Sequence, residues 1–311
     1  MKHKHMQYCF GPVQSRRLGV SLGVDLVPHK TCTLNCVYCE CGRTTVLTDE
    51  IKEYVPTNAV IEELEAILSS HPALDVITFS GSGEPTLHCG IGTIIDYLKS
   101  NYRYKIAVLT NGTLLHNSDV RERLYDADIV IPSLDAATEQ AFTKICRPHR
   151  SLSLQKIIEG IAQFRKEFKG LLILEIFIVP GINDTPSELE ALVNAAHFIN
   201  PHRIQLNYLD RPGAEKWVTK VPMETLKQFA ALFKPIPVDI PGTPEYRLLE
   251  LSLPLQEMIL STIERRPSTV EDLAYSLGKE QLLVKGILEE LSKQGVVEYY
   301  EEARGRFYKK K

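Results

Sequence analysis

The stretch Leu18-Gly19-Val20-Ser21-Leu22-Gly23-Val24-Asp25-Leu26-Val27, and the run Cys32-Thr33-Leu34-Asn35-Cys36-Val37-Tyr38-Cys39 that follows it, decide how this chain is read. The first is apolar enough for a buried strand; the second places a C-x3-C-x2-C triplet in the segment that leaves that strand. Three thiolates can converge on one metal centre, and no fourth ligand stands at a familiar spacing. An iron-sulfur cube needs one soft ligand per iron, so a triplet leaves one iron open to a substrate or cofactor. A structural zinc site would need Cys41 as its fourth ligand. Cys39 and Cys41 are separated by a single residue, tighter than such sites use, so their thiolates converge poorly on one ion.

Working outward, further apolar runs at 75–80, 105–110, 128–133, 171–179 and 203–208 suit a parallel sheet covered on both faces. Helical periodicity fills the intervals. Val60, Ile61, Leu64, Ile67 and Leu68 follow Asn58 as N-cap, and Ile157, Ile158, Ile161, Phe164 and Phe168 repeat the pattern later. Thr185-Pro186-Ser187-Glu188 supplies a cap, a proline at the first helical position and a capping-box glutamate. Six strand-helix units predict an α/β fold with a partial (β/α)6 TIM-type barrel over 1–234. A doubly wound open sheet shows the same alternation, because strand order is not written in one sequence.

The proline-rich segment 235–251 reads as a linker. Beyond it, in 252–311, the spacing predicts helices over 255–264, 270–277 and 281–293, then a hairpin from 295–300 and 305–308. That is the order of a small winged helix-turn-helix domain. It holds ten acidic and ten basic side chains, and the helix in the recognition position sets Lys285 and Lys293 against Glu289 and Glu290. A DNA reader needs a stronger basic field, although Arg304, Arg306, Lys309, Lys310 and Lys311 near the wing can touch phosphates.

The net charge of −3 over 311 residues gives no global attraction for nucleic acid. No run is apolar and long enough to span a membrane, so no membrane partner is expected. Seven cysteines, an odd count, and the polar start Met1-Lys2-His3-Lys4-His5-Met6 point to a reducing cytoplasm.

Polar and glycine residues collect after the strands, where β/α barrels bind ligands. Ser80-Gly81-Ser82-Gly83-Glu84-Pro85 follows the second strand; its glycines let backbone approach a ligand, and Glu84 can accept from an ammonium group. Thr110-Asn111-Gly112 follows the third and Ser133-Leu134-Asp135 the fourth. Each alone is an ordinary turn, and their shared placement makes them site candidates. Glu175 inside the fifth apolar run implies a polar lumen or a partner, and Gln205 and Asn207 share one face of the sixth. Arg147-Pro148-His149 reads equally as a solvated turn or a substrate contact. Cys9, Cys89 and Cys146 read as buried small apolar residues.

The triplet with Tyr38 before its third cysteine, together with Gly81-Ser82-Gly83-Glu84-Pro85, resembles the radical S-adenosylmethionine superfamily. The resemblance implies that Cys32, Cys36 and Cys39 hold a [4Fe-4S] cluster whose open iron takes the amino and carboxylate groups of S-adenosylmethionine. It further implies that the motif containing Gly81, Ser82, Gly83 and Glu84 meets that amino group and Tyr38 lies near the adenine. Asn111 would lie near the methionine or ribose, and Ser133 and Asp135 near the ribose or methionine carboxylate. An electron from a donor such as flavodoxin or ferredoxin would then split S-adenosylmethionine into methionine and a 5′-deoxyadenosyl radical, which abstracts hydrogen from substrate.

More narrowly, Phe10-Gly11-Pro12-Val13-Gln14-Ser15-Arg16-Arg17-Leu18-Gly19, Cys39-Glu40-Cys41-Gly42-Arg43-Thr44-Thr45 and Pro132-Ser133-Leu134-Asp135-Ala136 resemble a branch grouped with the wyosine-tRNA synthases. Archaeal 4-demethylwyosine synthases carry three further cysteines ahead of the triplet, and here only Cys9 precedes Cys32. Three expectations follow: a radical enzyme acting on RNA or a metabolite, one acting on a peptide recruited by the winged helix, or a non-catalytic metal-containing regulator that binds nucleic acid.

Overall fold

The computed structural model describes residues 6–15, 17–242, 254–302 and 304–311. The basic start at 1–5, Arg16, and the part of the expected linker from 243 onward lie outside these residues.

The chain begins with an antiparallel hairpin, β1 (Cys9–Ser15) and β2 (Gly19–Val24), irregular between Phe10 and Val13. After β2 the cysteine segment forms a two-stranded clip, β3 (Thr31–Cys32) with β4 (Val46–Leu47). There follow α1 (Thr57–Leu68), β5 (Val76–Phe79), α2 (Ile91–Asn101), β6 (Lys105–Thr110), α3 (Ser118–Glu122) and β7 (Ile129–Pro132). Then come α4 (Glu139–Ile145), α5 (Leu154–Glu167), β8 (Leu171–Phe177), α6 (Pro186–Ile199) and β9 (Arg203–Asn207). After α7 (Met223–Leu232), the short strand β10 (Val238–Asp239) completes the sheet. The strand order is β1-β2-β5-β6-β7-β8-β9-β10, parallel from β2 onward. Sequential order has no reversal point, so the doubly wound alternative is excluded; the sheet is consistent with a partial barrel. Its strands are buried on both faces, as the continuous apolar runs require: all of Val76-Ile77-Thr78-Phe79 is inside.

Local caps differ from the expected ones for identifiable reasons. Helix α1 starts at Thr57, after Pro56, and not after Asn58, because Glu53 Oε1 accepts from both the Thr57 amide (2.8 Å) and its hydroxyl (2.7 Å). Thr185 caps α6 as expected, but Glu188 does not close a box. It reaches across to Thr138 Oγ1 (2.6 Å) and the Thr138 amide (3.2 Å), bracing the residue whose own hydroxyl caps the neighbouring α4.

Strand β10 pairs parallel with β9 inside the segment expected to be a linker. Arg203 ties it down, with Nε and one Nη each 2.6 Å from the Asp239 carboxylate. The prolines flanking this short strand are tolerated because it lies at the sheet edge. At the other edge, β1 is covered by α8 (Leu255–Arg265) and α9 (Val270–Leu277), which precede α10 (Gln281–Lys293) and the hairpin β11 (Val297–Glu302) with β12 (Gly305–Lys310). Thr269 and Asp272 form a capping box at α9, and Gly278 ends it in a left-handed turn at φ 59°.

Candidate functional site

The segment after β2 carries the cysteines, and it is laid directly on the glycine loop after β5. The Lys30 amide donates to Ser82 O (3.1 Å) and the Glu84 amide to Thr31 O (3.1 Å). A Cβ at Gly83 would collide with Thr31 O, so only glycine permits this approach. The turn after β6 closes the third side: Asn111 Nδ2 donates to Thr33 Oγ1 (2.7 Å) and lies 3.5 Å from Cys32 Sγ. The loop after α4 buttresses the cysteine segment, with the Asn35 amide on Cys146 O (2.9 Å), Val37 on Ile145 O (2.9 Å) and His149 on Thr33 O (2.9 Å). Arg147-Pro148-His149 is therefore a support for the cysteines, and Arg147 is further anchored on Glu215 at 2.5 Å.

Cys32, Cys36 and Cys39 are all free and half-buried. A hydrogen bond with Cys41 and the Lys30 ammonium, 3.0 Å away, lower Cys39 to about 5 against the effect of burial. Cys39 is thus held as thiolate, the ligand form. Burial, with Glu84 and Cys36 nearby, pushes Cys32 up to about 12; coordination deprotonates such a thiol outright. Among the described residues no three His, Cys, Asp or Glu side chains are arranged to hold one metal ion. A cube makes no such demand, since each thiolate takes its own iron, and the all-sulfur donor set fits it. Of the other cysteines, Cys9 and Cys146 are buried as expected, whereas Cys89 is exposed.

Several expected ligand contacts are taken up by the protein itself. Glu84 is 2 % exposed; Oε1 accepts from the Thr86 amide (3.0 Å), Thr86 Oγ1 (2.6 Å) and Thr110 Oγ1 (2.6 Å), and Oε2 from the Asn111 amide (2.7 Å). Its carboxylate thus already has protein donors where an ammonium group was expected. Asp135 accepts from the Phe177 amide (2.7 Å) and from the Tyr38 hydroxyl, and burial raises it to about 7. Tyr38 stacks on Phe177 at 3.9 Å. Tyr38 and Asp135, expected on different parts of a nucleoside, are thus brought together as partners. Ser133, at the end of β7, has its hydroxyl 3.4 Å from Glu175.

Glu175 does face a partner in the lumen. It pairs with Arg17 and accepts from Asn207 Nδ2 (3.3 Å), while Arg17 also reaches Gln205 (3.5 Å). The residues missed in the sequence are the cations around the cysteines. Lys30, 4 % exposed, stands two positions before the triplet. Arg211 bonds Glu40, between Cys39 and Cys41, at 3.4 Å and Asp272 at 3.2 Å. A charged residue close beside cysteines was the available signal for Lys30; nothing in the sequence marks Arg211.

No helix among the described residues is long and apolar enough to cross a membrane. Comparison with known proteins gives a match of residues 26–196 to the Radical SAM superfamily. The chain is 34% identical over 291 residues to GTPase Obg of Brachyspira hyodysenteriae, covering 93% of this chain but only 43% of that protein's length. It is 32% identical over 286 residues to the UPF0026 protein MJ1312 of Methanocaldococcus jannaschii, covering 89% and 88% of the two. A radical SAM methyltransferase structure from Sphaerobacter thermophilus shares the fold, with a TM-score of 0.54 at 17% identity over 71% of this chain and 66% of that one. With cysteines, glycine loop and strand-end turns joined at one end of a parallel sheet, this chain belongs to the radical SAM superfamily, whose cofactors are a [4Fe-4S] cluster and S-adenosylmethionine.

Proposed function

We propose that Cys32, Cys36 and Cys39 hold the cluster, that loop 81–84 seats S-adenosylmethionine beside it, and that the enzyme modifies its substrate by hydrogen abstraction. The observation that carries this reading is the direct backbone pairing of the cysteine segment with the glycine loop, Glu84 to Thr31 and Lys30 to Ser82, both at 3.1 Å. When bound, the cofactors supply a one-electron cleavage of the carbon–sulfur bond, giving methionine and a 5′-deoxyadenosyl radical. The protein's part is to hold and shield. Lys30 and Cys41 keep Cys39 ionised, Asn111 fixes Cys32, and the backbone of loop 81–84, with Ser133, faces the cofactor. The Tyr38–Phe177 stack walls the site, and the Arg17–Glu175 pair spans the lumen.

A cavity of about 790 Å³ opens between the barrel and the C-terminal helices, lined by Arg17, Gly81, Cys41, Tyr208, Lys220 and Tyr275 among others. That size suits a small molecule or one extruded base or side chain. RNA is favoured as its source by the resemblance of three motifs to the wyosine-tRNA branch. The C-terminal segment, read as a winged helix, would position that substrate, with flavodoxin or ferredoxin as electron donor. Its α10 presents exposed Leu282 and Leu283, and Lys285 pairs with Glu289 at 3.9 Å, an arrangement that does not favour DNA reading. A peptide substrate has one observation in its favour: β11 pairs only with β12 among the described residues and leaves an edge for strand addition. Anaerobic reconstitution, reduction and incubation with S-adenosylmethionine, followed by mass spectrometry of small-molecule, tRNA and peptide fractions, tests the reading. 5′-Deoxyadenosine and a modified fraction support it; a loaded protein that yields neither overturns it.

A further inference from the structure

Asp25 leaves β2 on the way to the cysteines and is 8 % exposed. Its Oδ2 accepts from the Ser82 amide (3.1 Å), the Ser82 hydroxyl (2.9 Å) and Arg265 Nε (3.2 Å). The glycine loop is built against this carboxylate. A Cβ at Gly81, whose φ is +150°, would lie 2.5 Å from both Asp25 oxygens. Arg265 comes from the other end of the chain, in the last turn of α8, and is itself fixed on every side. One Nη donates to Ser261 O (3.0 Å) and the other to Gln7 O (3.3 Å), and the guanidinium lies 4.7 Å over the Phe10 ring. It cannot follow Asp25 if α8 moves. Burial raises the Asp25 carboxyl above its ordinary range, and Arg265 is the charged partner that opposes that rise.

We propose that Arg265 and Asp25 are a positioning pair by which the C-terminal helices hold loop 81–84 in the conformation that receives the cofactor. The inference rests on the reading of that loop as the S-adenosylmethionine seat. The same helices also grip the cysteine segment: Glu40 is bonded by Arg211, which in turn bonds Asp272 of α9, and Asp272 accepts from Arg304 at 2.8 Å. Docking of the C-terminal segment is therefore registered at both loops of the site. Arg265 also lines the cavity between the barrel and these helices, and it reaches loop 81–84 through Asp25 and Ser82.

The test is hydrogen exchange in the full-length protein without cluster, comparing wild type with Arg265→Met, which keeps the apolar stem over Phe10. The amides of 81–84 should exchange about tenfold faster in the variant, the scale of losing one charge-assisted bond, with the α1 and α5 amides unchanged. In reconstituted protein the dissociation constant for S-adenosylmethionine should rise about tenfold at unchanged iron content, and Asp25→Asn should reproduce both effects. Should Arg265→Met not fold, Arg265→Lys, which keeps charge but loses the clamp, is read the same way. Unchanged exchange at 81–84, or a uniform rise across the chain, overturns the proposal. Faster exchange at 81–84 with unchanged cofactor affinity would uphold the mechanical link and overturn the loop's role as cofactor seat.

Discussion

Asn111 donates its backbone amide to Glu84 Oε2 at 2.7 Å while its side-chain amide lies 3.5 Å from Cys32 Sγ. The motif glutamate and the first cysteine are thus joined through one residue at the end of β6. Glu84→Ala would strand the Thr86, Thr110 and Asn111 donors, which are buried or half-buried. A loss of about 2–4 kcal/mol is expected in denaturant unfolding, with Glu84→Gln intermediate because it keeps one acceptor. A Glu84→Ala protein as stable as wild type would show that the carboxylate is not the link.

Asp135 sets a pH dependence. Its carboxyl is raised by burial to about 7 from an ordinary 3.8. A carboxyl raised in the folded state favours folding fully below the unfolded value and loses that contribution as pH climbs through the folded one. Stability should therefore fall between about pH 4 and 7, by roughly 4 kcal/mol at 1.36 kcal/mol per unit. Asp135→Asn can keep both contacts, accepting from Phe177 and donating to the Tyr38 oxygen, and should flatten this slope in unfolding titrations. An equally steep slope in the variant would assign the effect elsewhere.

Glu188 offers a control remote from the cysteines. Glu188→Ala removes the acceptor of the Thr138 amide and hydroxyl, which braces the cap residue of α4, and should cost about 1–2 kcal/mol while leaving iron content unchanged. Loss of iron in step with stability would mean that α4 and the 146–149 loop are coupled to the cysteines more tightly than their hydrogen bonds indicate.

The parallel strands were legible because a sheet covered on both faces needs continuous apolar runs, and such runs recur along the chain between stretches of helical periodicity. Strand β1 was not, since Gly11 and Pro12 break its alternation where the ladder is irregular. Nor was β10, two residues close to prolines. In the site, the glycine loop and Asn111 stood out because each follows a strand end, and the cysteines because of their spacing. The Arg265–Asp25 contact could not, because the partners are 240 positions apart and no periodicity connects them. The protein partners of Glu84 and Asp135 were not legible for a related reason: a sequence shows a carboxylate but not which protein donors reach it.

Duplex DNA binding separates enzyme from regulator. With Lys285 paired to Glu289 and Leu282 exposed on α10, the full-length protein should show no sequence-selective binding at physiological salt. A steep salt slope with selectivity would reverse that reading, because each neutralised phosphate releases counterions.

Most direct is the assay of 5′-deoxyadenosine formed from S-adenosylmethionine by anaerobically reconstituted, dithionite-reduced protein, run beside its iron content. Wild type and Cys41→Ser should carry roughly four irons and form 5′-deoxyadenosine, and alanine at Cys32, Cys36 or Cys39 should abolish both. Stoichiometric zinc in place of the cluster, loss of iron in Cys41→Ser equal to that in the triplet variants, or a fully loaded wild type that forms no 5′-deoxyadenosine would contradict it.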